Sequence, residues 1–275
     1  MQPDFRWHPA INIRRSRRQY DQLHKIEPEK VDCLSKVCRE FTPYSSARVE
    51  FIPEPPDDIF SNALGFYGNI RGAPSFLAFI GDTSDPNIQE KVGYTGEAAM
   101  LEATALGLGT CWVALTYNSK AAHSILKLGK NEKLICVSPV GYAIDKIGIE
   151  EKAYTAFGAN HQRKPLSSLV SGLTEAEWPG WIKAAVEAAR LAPSAMNRQP
   201  WKFHIVDNSI TISVQSPGLE FNVAKRLDCG IAMLHIEIGA LSNGIKGNWE
   251  ILRQPQVARF NFDNKTDTAK APSRH

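Results

Sequence analysis

Apolar residues recur at helical spacing after Glu27-Pro28-Glu29, where Val31, Leu34, Val37 and Cys38 share one face. Phe41-Thr42-Pro43 ends this predicted helix, because a residue before proline avoids helical backbone. A short strand is expected over residues 49–52 and a buried one over 75–81 (SFLAFIG). Residues 96–106 (GEAAMLEATAL) are strong helix formers, and Gly107 and Gly109 stop them. Residues 134–142 (LICVSPVGY) read as a strand whose pairing Pro139 limits. A second part opens near Leu173, where Thr174-x-x-Glu177 matches a capping box ahead of a helix over 184–191, ended by Ala192-Pro193. Residues 202–206 and 210–214 alternate as strands around an Asp207-Asn208 turn. Residues 228–241 form another helix and 259–262 a last strand. Residues 53–72 are loop-rich, 145–172 irregular, and 264–275 a frayed tail with no aliphatic residue larger than alanine.

One order occurs twice: helix, proline, strand, a long interval, then a small-residue helix. REFTPYSSARVEFI (39–52) matches ARLAPSAMNRQPWKFHI (189–205), with Pro43 and Pro193 in register. Ala99-Met100-Leu101 matches Ala232-Met233-Leu234, an offset of 133. The pattern predicts an α+β protein of two related halves, 1–172 and 173–263, each sending one helix into a shared core. The halves differ chemically. RRSRR precedes the helix of the first half alone, and SAMNRQPW follows the helix of the second alone. A fused pseudo-dimer with one surviving site between its halves has this form.

Composition bounds the rest. The chain has 275 residues, 43% hydrophobic and 22% charged, which suits a folded protein with a sizeable core. No apolar run approaches the roughly eighteen residues of a membrane span. Met1 to Ile13 carries charges and Pro3 and lacks the apolar stretch of a secretory signal. A net charge of +3 is too mild to imply a nucleic-acid partner. Five cysteines without CxxC or His-rich spacing indicate neither a disulfide framework nor a metal site, and a reducing, cytoplasmic setting is expected.

Three segments carry candidate chemistry. Arg14, Arg15, Arg17 and Arg18 surround Ser16; such a cluster serves as a phosphate clamp or, alternatively, as a solvated basic face or basic tract. In APSAMNRQPW, Ser194, Asn197 and Gln199 are neutral groups able to read the rim of a heterocycle, or surface polar residues of a helix-ending turn. In GLGTCWVALT, glycines let backbone approach a ligand, and Trp112, Val113 and Ala114 form an apolar wall with free amides, unless the segment is only a helix stop before a strand. Neither a dinucleotide-binding GxGxxG nor a P-loop is present. The histidines stand without spaced partners and read mostly as structural or solvated, and Asp82 and Asp85 as turn residues.

RRSRRQY, GEAAMLEATALGLGTCW and APSAMNRQPWKF together resemble the nitroreductase family of flavin oxidoreductases, in particular its internally duplicated single-chain members. The family's usual order has the APS-x-N-QPW segment soon after the first helix. Here it follows GLGTCW, and the first position is degenerate. The resemblance implies FMN bound between the halves and NADH or NADPH as electron donor. Arg14, Arg15, Ser16 and Arg18 match the phosphate-binding motif, with Arg18 turned toward the ring. Pro193, Ser194, Ala195 and Asn197 match the segment approaching the flavin from the opposite side, and Gln199 is the next polar position. Val113 and Ala114 match the backbone facing the reactive edge. Arg163 resembles a basic residue that also meets phosphate, with Lys164 its rival, and Asn69 or Arg71 matches the pyrimidine end.

No side-chain nucleophile is implied; Arg18 and the Ala114 amide tune the ring. The expected function is reduction of nitro-aromatic, quinone or related small acceptors by ping-pong hydride transfer, with a non-catalytic flavin-binding sensor or store as the alternative. A nucleic-acid-binding reading of RRSRR leaves APSAMNRQPW without a role. The expected assembly is a monomeric pseudo-dimer or a homodimer.

Overall fold

The computed structural model describes residues 1–56, 59–60, 70–144, 162–215 and 223–262. The expected tail, Asn69 and most of the 53–72 and 145–172 segments lie outside the described residues.

The chain opens with α1 (Trp7–Ile13), which the hydrophobic pattern does not announce. Pro9 sits in its first turn, where no backbone N–H bond is required, and Trp7, Ala10 and Ile11 are buried. Helix α2 (Pro28–Glu40) has proline at its start and buries Leu34, Val37 and Cys38 as its spacing predicts. Strands β1 (Ala47–Ile52) and β2 (Ser75–Asp82) follow, then α3 (Ile88–Ala105). Helix α3 starts eight residues before the expected position, because Asp82 and Asp85 cap the turn ahead of it: Asp82 accepts from the Ser84 amide and Asp85 from the Asn87 amide. Strand β3 (Gly109–Thr110), helix α4 (Ser119–Ile125) and strand β4 (Glu132–Gly141) complete a four-stranded sheet of order β1-β2-β4-β3. Pro139 is tolerated inside β4 because β3 pairs only with Val140 and Gly141, leaving that flank of Pro139 without a ladder.

The second half repeats this order. After β5 (Val170–Gly172) come α5 (Gly180–Arg190), the hairpin β6 (Trp201–Val206) and β7 (Ser209–Val214), then α6 (Lys225–Leu241), β8 (Gly247–Ile251) and β9 (Gln256–Phe262). The second sheet runs β5-β6-β7-β9-β8, so its last four strands repeat the 1-2-4-3 arrangement of the first sheet. Strand β5, at the end of the first half, joins β6 in parallel and extends the second half's sheet. The Thr174 box forms, with the Thr174 amide donating to Glu177, but it closes a single 3-10 turn; α5 begins five residues later, after Pro179.

Helices α3 and α6 are the centre. Both are buried on almost every side, so neither shows a polar face. They cross closely because two glycines allow it. A Cβ on Gly93 would lie 2.2 Å from the Leu227 carbonyl, and one on Gly230 would lie 2.0 Å from the Glu90 carbonyl. Beside this crossing Arg226 forks onto buried Glu90, at 2.9 Å and 2.5 Å.

The two helices end alike. Gly107 (φ 80°) and Gly244 (φ 74°) occupy matching left-handed positions. Leu108 donates to the Ala103 carbonyl at 2.8 Å, and Ile245 to the Ala240 carbonyl at 3.1 Å. These pairs are 137 positions apart, as are Gly93 and Gly230, so the helices correspond at 137. The offset of 133 read from Ala99-Met100-Leu101 is out by about one helical turn, a slip that a run of small apolar residues permits.

Packing around this centre is continuous. One core cluster runs from Trp7 and Leu34 through Met100 and Met233 to Phe260. All five cysteines are free, and only Cys33 is exposed. Among the described residues no helix is long and apolar enough to cross a membrane.

Candidate functional site

After α1 the chain turns extended at Arg14, and the arginine run lies along the sheet as an edge segment. Ser16 bridges to Thr110, the Arg17 amide donates to the Thr110 carbonyl at 2.8 Å, and the Arg18 carbonyl accepts from the Arg71 amide at 2.9 Å. A basic tract in solution would make none of these bonds. The side chains diverge. Arg14 points inward and is 7% exposed, whereas Arg15 is exposed and Ser16 and Arg18 are half-buried. Arg15 donates back to the Asn12 and Arg14 carbonyls.

Arg163 approaches from the end of the first half. Its guanidinium donates to Asn197 Oδ1 at 2.7 Å and to the Leu191 carbonyl at 2.8 Å, at the C-terminal end of α5. Burial, and then the nearby charges of Arg14, Arg15 and Arg190, hold it down at about 10. Burial likewise lowers Arg14. Arg14 and Arg15 from RRSRR, Arg163, and Arg190 from α5 thus gather in one region contributed by both halves. Arg190 has its own acid, Glu187, at 2.8 Å. Arg14 has only a distant acid, Glu97 Oε1 at 4.0 Å from its Nε, and its Nη1 is buried and without a hydrogen-bond partner. The Thr110 hydroxyl beside the same segment is also buried and unpartnered. Converging cations with an orphaned buried donor suit an anion with several oxygens.

The polar segment of the second half is built under backbone strain. Met196 (φ 54°), Asn197 (φ 53°) and Gln199 (φ 47°) are the three non-glycine residues of positive φ among the described residues. Such clustering marks sites that the surrounding structure over-determines. What holds it is visible. Asp228 on α6 accepts from the Ala195 amide at 3.1 Å and from Arg198 at 2.7 Å, and Ser194 accepts from the Gln199 amide at 2.9 Å. Met196 is left 72% exposed, an apolar side chain presented outward.

Two expectations change here. Gln199 is buried, and its side chain serves the protein: Oε1 accepts from the Lys164 amide at 2.8 Å, and Nε2 donates to the Gln162 and Asn197 carbonyls. It clamps the 162–164 segment, with both amide hydrogens committed within the protein. Lys164 follows it, donating to the Gln199 carbonyl at 3.0 Å, so Arg163 is the residue of the pair directed to the arginine cluster. Nor is the Val113 amide free. Val113 and Val137 exchange both backbone bonds at 2.8 Å, because residues after β3 continue pairing with β4. The Ala114 amide, by contrast, has no acceptor among the described residues.

Sequence reasoning missed the supports under these groups. Glu97 is fully buried on α3, accepts from Trp112 Nε1 at 2.8 Å, and faces His235 of α6 at 3.0 Å. Asp228 is nearly as buried. A signal existed: carboxylates and a histidine inside otherwise apolar helices require partners wherever they are buried.

The nitroreductase family described as "Putative TM nitroreductase" matches residues 7–240. A solved structure described as a "putative nitroreductase" from Thermotoga maritima is 22% identical, with a TM-score of 0.58, and the match covers 93% of either chain. At that identity the likeness establishes the fold and not the activity. A nitroreductase family protein from Clostridium difficile is 26% identical with a TM-score of 0.44, over 62% of this chain and 99% of that one. An FMN-dependent nitroreductase from the same species is 22% identical with a TM-score of 0.41, over 50% of this chain and 87% of that one. No curated protein matches the chain.

Proposed function

The chain belongs to the nitroreductase family, and on that premise we propose that it is an FMN-dependent oxidoreductase, taking electrons from NADH or NADPH and passing them to a nitro-aromatic, quinone or related small acceptor. The observation that carries the proposal is Arg14: a buried guanidinium with an unpartnered Nη1, in a cluster of cations drawn from both halves. The residues present fit the phosphate of the cofactor. Arg14, Arg15, Ser16 and Arg163 would hold it, with the Thr110 hydroxyl alongside. Flavin supplies hydride chemistry that no side chain can.

The chain's own groups orient and tune. Arg18 and the Ala114 amide serve the ring, the first as a cation and the second as a neutral donor. Pro193, Ser194, Ala195 and Asn197 would form the wall from the second half. Asn197 acts chiefly through Arg163, whose guanidinium it fixes. Donor and acceptor occupy the single site in turn, which is ping-pong turnover. We read residues 1–172 and 173–263 as two fused nitroreductase-like units, on the strength of the repeated strand order and the helix ends 137 positions apart. The protein works in the cytoplasm, where five free cysteines suit a reducing medium.

The test is an absorption spectrum of the freshly purified chain, followed by anaerobic addition of NADH and then NADPH. A flavin spectrum that bleaches is expected. One that persists with both donors would leave a flavin-binding sensor or store. A colourless protein that takes up no added FMN would end the flavin reading.

A further inference from the structure

Glu97 on α3 and His235 on α6 are both 0% exposed and meet where the halves join. His235 Nδ1 lies 2.9 Å from the Ala188 carbonyl oxygen. A carbonyl can only accept, so Nδ1 carries a hydrogen. His235 Nε2 lies 3.0 Å from Glu97 Oε1, and that contact needs one hydrogen, from the ring or from the carboxyl. Imidazolium with carboxylate and neutral imidazole with neutral acid carry the same total charge, which is zero. The second carboxyl oxygen accepts from Trp112 Nε1. Both oxygens of Glu97 are therefore occupied before Arg14 is considered.

Arg14 Nε stands 4.0 Å from Glu97 Oε1, at the outer limit of an ion pair. By distance alone Glu97 is its counter-ion. Because the pair that Glu97 makes with His235 carries no net charge, Glu97 offsets Arg14 only in part. The neighbouring cations, Arg15 and Arg163, add to the positive charge.

We propose that His235 is a positioning residue: by neutralising Glu97 it stops Arg14 from closing onto that carboxylate and reserves the guanidinium for the cofactor phosphate. The proposal rests on the FMN reading above. With a neutral amide in place of imidazole, a Glu97 carboxylate keeps Trp112 as a donor but loses its balancing charge. Arg14 is the nearest cation and pairs with it, since an uncompensated buried charge is the costlier state. The phosphate then loses its innermost donor, while the flavin ring loses nothing.

Riboflavin, which has the ring without the phosphate, separates these effects. FMN and riboflavin are titrated into the flavin-depleted full chain by fluorescence quenching. His235→Gln should raise the Kd for FMN about tenfold, the lower end of what loss of an outer partner costs, with riboflavin unchanged. Adding Glu97→Gln should restore the preference for FMN, because no carboxylate remains to capture Arg14. Equal weakening toward both flavins, or a double variant that stays weak for FMN alone, overturns the proposal. Should the single variant fail to fold, the double variant decides: retained preference for FMN supports the proposal and lost preference overturns it. A native chain binding FMN no tighter than riboflavin overturns the premise, and the proposal with it.

Discussion

Asn197 shows how much one residue can carry. Its side chain accepts from Arg163 and donates to the Gln162 carbonyl at 3.0 Å, so it ties the end of the first half to the strained segment of the second. Asparagine tolerates its left-handed backbone better than most residues. Asn197→Ala therefore removes two things, a contact and a conformational fit. It should weaken FMN binding about tenfold and cost about 1–2 kcal/mol in stability. Asn197→Gly should weaken FMN equally but cost about 1 kcal/mol less in stability than the alanine variant, since glycine accepts φ 53° freely. Titration and denaturant unfolding check both, and unchanged FMN affinity in either variant would detach the segment from the site. At this scale the sequence was readable where chemistry is local. Arg14 and Arg15 of RRSRR lie near Arg163, to which the family resemblance and not the local pattern pointed. Gln199 was misread because a polar side chain in a motif says nothing about which way it faces. Glu97 and His235 were unreadable as a pair, since 138 residues separate them and only the fold joins them.

Elements were legible where periodicity was strong and ambiguous where burial was complete. Helix α2 shows one apolar face, and its limits match the reading to within a residue or two. Helices α3 and α6 are apolar almost all round, so nothing in their pattern fixes register, and Ala-Met-Leu aligned them at 133. The glycines and tryptophans decide otherwise. GLGTCW (107–112) corresponds to GIKGNW (244–249), and Trp112 and Trp249 each donate to a buried glutamate on the helix of their own half. Helix α1 and strand β8 were missed because each is short and takes its burial from the rest of the fold. The crossing of α3 and α6 gives a sharp contrast between two glycines. Gly230→Ala drives a methyl into the Glu90 carbonyl and should cost about 3 kcal/mol or more, the upper end for overpacking. Gly107→Ala meets nothing within 4 Å and should cost only about 1–2 kcal/mol for its positive φ. Denaturant midpoints compare them, and equal costs would mean that the crossing is not tight.

At the scale of the molecule the repeated architecture raises the question of a second site, and the residues answer it. The counterpart of Glu97 at an offset of 137 is Leu234, so no buried carboxylate underlies an arginine there. At the offset of 152 between the starts of α2 and α5, RRSRR falls on residues 166–170, which read LSSLV and carry no arginine. Tyr44 and Ala47 stand where Ser194 and Asn197 stand in the other half, and Arg48 is engaged by Glu132 and Glu50. Between the helices on that side Glu237 accepts from Tyr94 at 2.5 Å and from Trp249 at 2.8 Å, and burial raises its carboxyl above the ordinary range. The first side thus keeps a buried guanidinium with an unpartnered Nη1, and the second keeps a carboxyl with its donors supplied. On the proposed reading only the first suits a phosphate. The chain should therefore bind one flavin per polypeptide, whatever its state of association. Saturation with FMN, removal of the excess, and flavin absorbance set against protein content by amino-acid analysis give that ratio, with light scattering giving the mass. Two flavins per chain would show that the second side binds after all. One flavin per two chains would place the site between molecules, and the arginines of both halves would then have to be partners in trans.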